Sequence, residues 1–269
     1  MTYCVAIKLH KGLVFLSDSR TNAGVDAVST VRKMSVFEGH NDRVVVLMSS
    51  GNLAISQAVK HYLINSDKSI WNAQNMFEIA ELVGEAVRHV YKNDGAALNE
   101  FNIEFNVSFI VGGQINGEPM RLFMIYSAGN FIEATDENCF FQIGETKYGK
   151  PILDRVIEPQ TCPDEAAKCA LVSMASTLNS NISVGLPLDL LVYKNNTLEI
   201  DKFVHIDKEN PYYNMIAQTW GERLREVFAE IQDPIWEKHP DNLFEINIDS
   251  EENQDFLDNI KVALPDAWM

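Results

Sequence analysis

The sequence is short of positive charge: 22 lysines and arginines stand against 38 aspartates and glutamates in 269 residues, a formal net charge of −16. Such a surface repels polyanions, which argues against nucleic acid and acidic lipid as partners. Long apolar runs are missing as well. The run at residues 44–48, Val44-Val45-Val46-Leu47-Met48, falls far below the roughly 18 residues that a membrane helix needs. Cysteine is scarce. Cys4, Cys139, Cys162 and Cys169 show no CxxC spacing, and no signal peptide is read ahead of them, so reduced thiols in the cytoplasm are expected rather than disulfides or a zinc site. His10, His40, His61, His89, His205 and His239 show no metal-ligand spacing either. In a cytoplasmic chain the Asn-x-Ser/Thr triplets at Asn106, Asn181 and Asn195 are chance matches. Internal repeats and low-complexity tracts are absent.

What is present is a core-forming body followed by a different ending. Hydrophobic residues make up 46% of the chain, enough for a substantial core in one layered domain over residues 1–208. Residues 209–269 read as an amphipathic helix at about 210–231 and then an acidic extension. From residue 233 onward ten acidic residues face two lysines, half of the whole net charge. That extension carries apolar residues too regular for pure disorder, among them Trp236, Phe244 and Phe256, and is expected to dock on the body or on a neighbouring subunit. In the body, alternating apolar residues predict strand hairpins at 3–9 with 13–18 and at 34–37 with 43–49. Apolar positions at helical spacing then predict helices over 52–64 and 73–92. Strands return at 105–114, 120–127, 131–134 and 139–143, helices at 145–156 and 164–179, and strands at 188–194 and 197–204. This alternation of blocks is the order of two sheets between helix layers, an α+β, four-layer αββα sandwich.

Chemistry concentrates at the start. Thr2 directly follows Met1, and a small second residue lets an aminopeptidase expose a new amino terminus. One residue would then carry both a hydroxyl nucleophile and its own base, because a free α-amine titrates at roughly 7.7–8.0. A lysine ammonium beside that amine lowers its pKa, and an aspartate holds the lysine charged and oriented; Lys33 and Asp18 supply this pair.

The run Thr2…Gly12…Asp18-Ser19-Arg20…Gly24…Lys33 resembles the opening of a proteasome-type β subunit of the N-terminal-nucleophile hydrolase superfamily. Its wording around residues 1–9 and 17–26 is most similar to the bacterial Anbu branch, the ancestral β subunit, densely so over residues 2–51 and traceably to about residue 205. The resemblance implies the proteasome β-subunit-like sandwich, a threonine-dependent peptidase without cofactor or metal, and self-assembly into a ring or open helical ring. Gly51 matches the glycine whose amide faces the developing oxyanion, with Ser50 as the alternative donor one residue earlier and Ser49 beside it. Arg20, Thr21 and Asn22 match the stretch that pairs through its backbone with an extended substrate, and are equally readable as a solvent loop.

Two later motifs depart from that pattern. Gly144-Glu145-Thr146 stands where such subunits carry Gly-Ser-Gly, and Ser180-Asn181-Ile182-Ser183-Val184 where they carry Asp-x-x-Ser-Gly. Ser183 is carried over as a proton-relay residue, with Ser180 behind it. Two alternatives stay open: an amidase of the same fold acting on a small amide, and a silent assembly protein that keeps Met1. No unfoldase partner is implied.

Overall fold

The computed structural model describes residues 2–23, 27–66 and 69–234. Gly24, His239 and the acidic extension from residue 235, with its expected docking, lie outside the described residues. The chain divides into a unit Met1–Leu224 and a second, Arg225–Met269, of which residues 225–234 are described.

The first unit is a mixed α/β fold built on two five-stranded sheets. One has the order β10 (Phe140–Gly144), β1 (Tyr3–Leu9), β2 (Gly12–Asp18), β11 (Leu188–Lys194), β12 (Ile200–Ile206), every neighbouring pair antiparallel. The other runs β5 (Met34–Gly39), β6 (Arg43–Gly51), β7 (Val107–Ile115), β8 (Arg121–Ile125), β9 (Phe131–Glu133), again antiparallel throughout. The helices are α1 (Leu53–Asn65), α2 (Met76–Glu100), α3 (Lys150–Val156), α4 (Pro163–Ser180) and α5 (Pro211–Glu230).

Strand alternation explains how these elements stack, because successive side chains point to opposite faces. On β1, Cys4 and Ala6 meet Phe15, Val44, Val46, Met48, Ile110 and Leu122 in an apolar cluster shared by the two sheets. The alternate residues Tyr3, Val5 and Ile7 turn the other way and pack with Leu153, Ala166, Ala170 and Met174 of α3 and α4. Val45, Leu47, Phe109 and Val111 do the same on the second sheet, against Ile55, Val59, Met76, Ile79, Val83 and Val87 of α1 and α2. Each fully buried side chain of this size contributes about 1.5–3 kcal/mol, so all three clusters resist strand slippage strongly. Among the described residues no helix is long and apolar enough to cross a membrane.

Three expectations change. The helix over 73–92 continues to Glu100, and that over 145–156 begins at Lys150, after a turn through Tyr148 and Gly149. The stretch 20–23 is not a bare loop: β3 (Arg20–Ala23) pairs with β4 (Ala27–Thr30) in a two-stranded ribbon, Arg20 opposite Thr30 and Thr21 opposite Ser29.

Candidate active site

Four strand ends from the two sheets converge on Thr2. The register sets Tyr3 opposite Gly144 and Cys4 opposite Ser17, which brings the start of β1 against the ends of β10 and β2. Thr2 is buried, 7% exposed; its carbonyl accepts from the Glu145 amide at 2.7 Å, and its hydroxyl has no hydrogen-bond partner among the described residues. Gly144 holds a left-handed φ of +84°, and a Cβ there would stand 1.9 Å from the Thr2 carbonyl oxygen. Gly144→Ala is therefore expected to cost at least about 1–3 kcal/mol and to displace the threonine, read as a lower urea midpoint together with a lower rate.

Asp18 ends β2 directly behind Thr2 and is wholly buried. Its Oδ1 accepts from the Tyr3 amide at 3.0 Å and from Lys33 Nζ at 2.6 Å, and its Oδ2 from the Gly185 amide at 3.4 Å. Burial pushes this carboxyl above the usual aspartate range, while the Lys33 ammonium and the two amides pull the other way. Lys33 precedes β5 and is anchored there, its carbonyl accepting from the Ser49 amide at 3.2 Å; its Nζ also donates to the Arg20 carbonyl at 2.5 Å. The ammonium thus bridges the end of β2 and the ribbon. Tyr3 is fixed from below by Ser173 at 3.0 Å and Gln142 at 2.5 Å, and burial pushes its hydroxyl up to about 12.

A cavity of about 840 Å³ opens in front of this group, lined among others by Thr2, Thr21, Lys33, Ser49, Ser50, Gly51 and Gly144. Gly51 ends β6 at φ +98°, where a Cβ would meet the Asn106 carbonyl oxygen at 2.3 Å, so glycine is required there whatever its amide does. The structure thereby brings together Thr2, Asp18, Lys33, Thr21, Ser49, Ser50 and Gly51. Arg20 turns its guanidinium to the Ile182 carbonyl at 2.8 Å, and Asn22 pairs with Val28 in the ribbon. Ser183 is not among the cavity-lining residues; its hydroxyl donates to Asn181 Oδ1 at 2.5 Å, and Asn181 Nδ2 donates to Glu145 at 2.8 Å. Among the described residues no group of three or more His, Cys, Asp or Glu could hold a metal ion.

Sequence reasoning missed the far wall of the cavity. Leu53, Ser56, Gln57 and Lys60 line it from α1, with the N-cap residue Asn52 and with Arg32, Asn106 and Ser108 beside them. The signal was available, since Leu53, Ser56, Gln57 and Lys60 repeat at i, i+3, i+4 and i+7, one stripe of a helix, but it was hidden by the apolar stripe that marked the same segment.

No protein-family model matches the chain, and no curated protein matches it either. Solved structures do. Anbu from Yersinia bercovieri is 45% identical with a TM-score of 0.82, over 88% of this chain and 100% of that one. Anbu from Hyphomicrobium sp. strain MC1 is 43% identical with a TM-score of 0.79, over 87% and 100%. The helical assembly of the Anbu complex from Pseudomonas aeruginosa contains a chain 43% identical with a TM-score of 0.82, over 87% and 98%.

Proposed function

The chain belongs to the Anbu family of proteasome-related ancestral β subunits, and from that premise we propose that it is an N-terminal threonine hydrolase cleaving peptide or amide bonds. The observation that carries the reading is the buried Asp18–Lys33 pair, 2.6 Å long, whose lysine lines the same cavity as Thr2. With Met1 removed, the Thr2 amine takes the proton from its own hydroxyl as Oγ1 attacks the carbonyl carbon of the scissile amide. Lys33 keeps that amine uncharged and able to accept the proton, and Asp18 keeps Lys33 in place. Negative charge collects on the carbonyl oxygen, where the Gly51 amide, or that of Ser50, donates to it. The proton then passes to the leaving nitrogen, the C–N bond breaks, and an ester on Thr2 remains for water to hydrolyse. Ser183 belongs to the proton path in this proposal through Asn181 and Glu145, of which Glu145 stands where subunits of the proteasome type carry a serine.

The fold is part of the same reading. Apolar clusters between the sheets and on their outer faces support the αββα arrangement, and the division into residues 1–208 and an extension over 209–269 is retained as a proposal. Thr21, paired with Ser29 and facing the cavity, is proposed to hold the substrate backbone together with Arg20, Asn22, Ser49 and Ser50. Self-assembly is proposed by analogy with the Pseudomonas aeruginosa helical assembly, and a cytoplasmic setting on the four free thiols.

A peptide epoxyketone tests the chemistry, because its two ring-forming bonds need a hydroxyl and an amine on one residue. Intact-mass analysis of the purified chain is expected to show loss of Met1 and one adduct, mapped to Thr2. A mature chain that retains Met1, or one left unmodified by the probe, overturns the proposal. Electron microscopy of the same sample reads the assembly state.

A further inference from the structure

The chain carries sixteen excess negative charges, yet no carboxylate lines the cavity among the described residues. The ionisable side chains there are Arg32, Lys33 and Lys60. Lys33 is held by Asp18, and Arg32, mostly exposed at the rim, approaches Asp189 at 3.8 Å. Lys60 differs from both. No carboxylate among the described residues pairs with it, although it is half-buried. It sits on the polar stripe of α1 with Ser56 and Gln57, while Ile55, Val59 and Leu63 on the adjoining stripe anchor the helix in the core. Asn52, Ser56 and Ser108 add neutral hydrogen-bonding groups to that wall, and Leu53 an apolar one.

An ammonium removed from water without a counter-ion is costly to keep, and the cost falls when a ligand brings the opposite charge. Resting on the hydrolase reading above, we propose that Lys60 is a specificity-determining residue that receives a carboxylate on the substrate residue adjoining the attacked carbonyl, so that acidic peptides are the preferred substrates. The geometry fits: Lys60 and the nucleophile face one cavity, and a glutamate or aspartate side chain entering it meets a cation at the α1 wall and hydroxyls and amides around it. Burial draws the Lys60 ammonium below its ordinary value, the direction that an incoming carboxylate reverses. No other lining cation is both turned inward and unpaired among the described residues, which is why the preference is assigned to this one.

The test uses the full-length protein and four peptide epoxyketones that differ only at the residue next to the warhead: glutamate, its uncharged isostere glutamine, leucine and lysine. The rate of adduct formation at Thr2 is followed by intact mass. The glutamate probe is expected to react roughly tenfold faster than the glutamine probe, the worth of one partly desolvated ion pair. Lys60→Gln is expected to level that ratio, Lys60→Arg to preserve most of it, and Lys60→Glu to turn the preference toward the lysine probe. Equal rates with the glutamate and glutamine probes in the parent protein overturn the inference while leaving the hydrolase reading intact. A ratio that survives Lys60→Gln overturns the assignment to this residue. Silence of all four probes overturns the hydrolase reading, and the inference with it.

Discussion

Thr2→Ala is expected to lower peptide hydrolysis on the order of 10⁴-fold or more, since nucleophile and base chemistry meet on this one residue and the remaining groups only hold substrate and oxyanion. The folded state should barely notice. The Thr2 hydroxyl makes no hydrogen bond among the described residues, so the urea midpoint is expected to move by less than about 1 kcal/mol equivalent. Thr2→Ser keeps hydroxyl and amine and is expected to retain part of the rate. Assaying the three proteins on a panel of peptides and small amides separates a peptidase from an amidase by which substrates the alanine variant ceases to turn over. A Thr2→Ala protein as active as its parent ends the proposal.

The second large effect concerns Lys33→Met. It removes the ammonium proposed to tune the amine, and it also strands Asp18, a carboxylate with no exposure to solvent. Breaking a buried pair from one side costs about 3–5 kcal/mol, so activity and stability should fall together. The pH dependence tells the two losses apart. Burial already raises the Asp18 carboxyl, and without Lys33 it rises further. The folded form then binds a proton more tightly than the unfolded chain, so the stability contributed by the protonated carboxyl is fullest below the ordinary aspartate range and is lost as pH climbs through the raised value. The stability gap between variant and parent should therefore narrow when the pH is taken from about 7.5 to about 5. Lys33→Met combined with Asp18→Asn should regain stability at neutral pH without regaining activity. A gap that does not change with pH would show that the pair does not hold the site together.

Much of this was legible in the chain itself, for identifiable reasons. Thr2, Asp18 and Lys33 lie in one short N-terminal stretch of strands whose alternation fixes which way each side chain points, so sequence spacing translates directly into geometry. The strand blocks and α1 and α4 were legible because their apolar residues repeat cleanly. The β3–β4 ribbon was not: four-residue strands spelling Arg-Thr-Asn-Ala and Ala-Val-Ser-Thr have little apolar alternation to read. The last turns of α2 escaped notice because their residues are mostly exposed, leaving propensity alone to mark them after Val90. Lys60 was illegible for a deeper reason. A lysine on a helix ordinarily reaches water, and only the packing of α1 against β6 sets this one on the lining of a cavity that it shares with Thr2.

The proposed nucleophile stands at the head of a strand in one sheet, and the amide proposed to catch the oxyanion at the foot of a strand in the other. The side chains of Phe15, Met48 and Leu122, packed in the cluster that the two sheets share, are consequently expected to set the spacing of the reacting groups. Thinning that cluster, as in Phe15→Leu, would alter the distance between attacker and catcher by a fraction of an ångström. Rates depend more steeply on such misalignment than folding does. Turnover by the proposed hydrolase is thus expected to be calibrated by apolar residues outside the cavity lining.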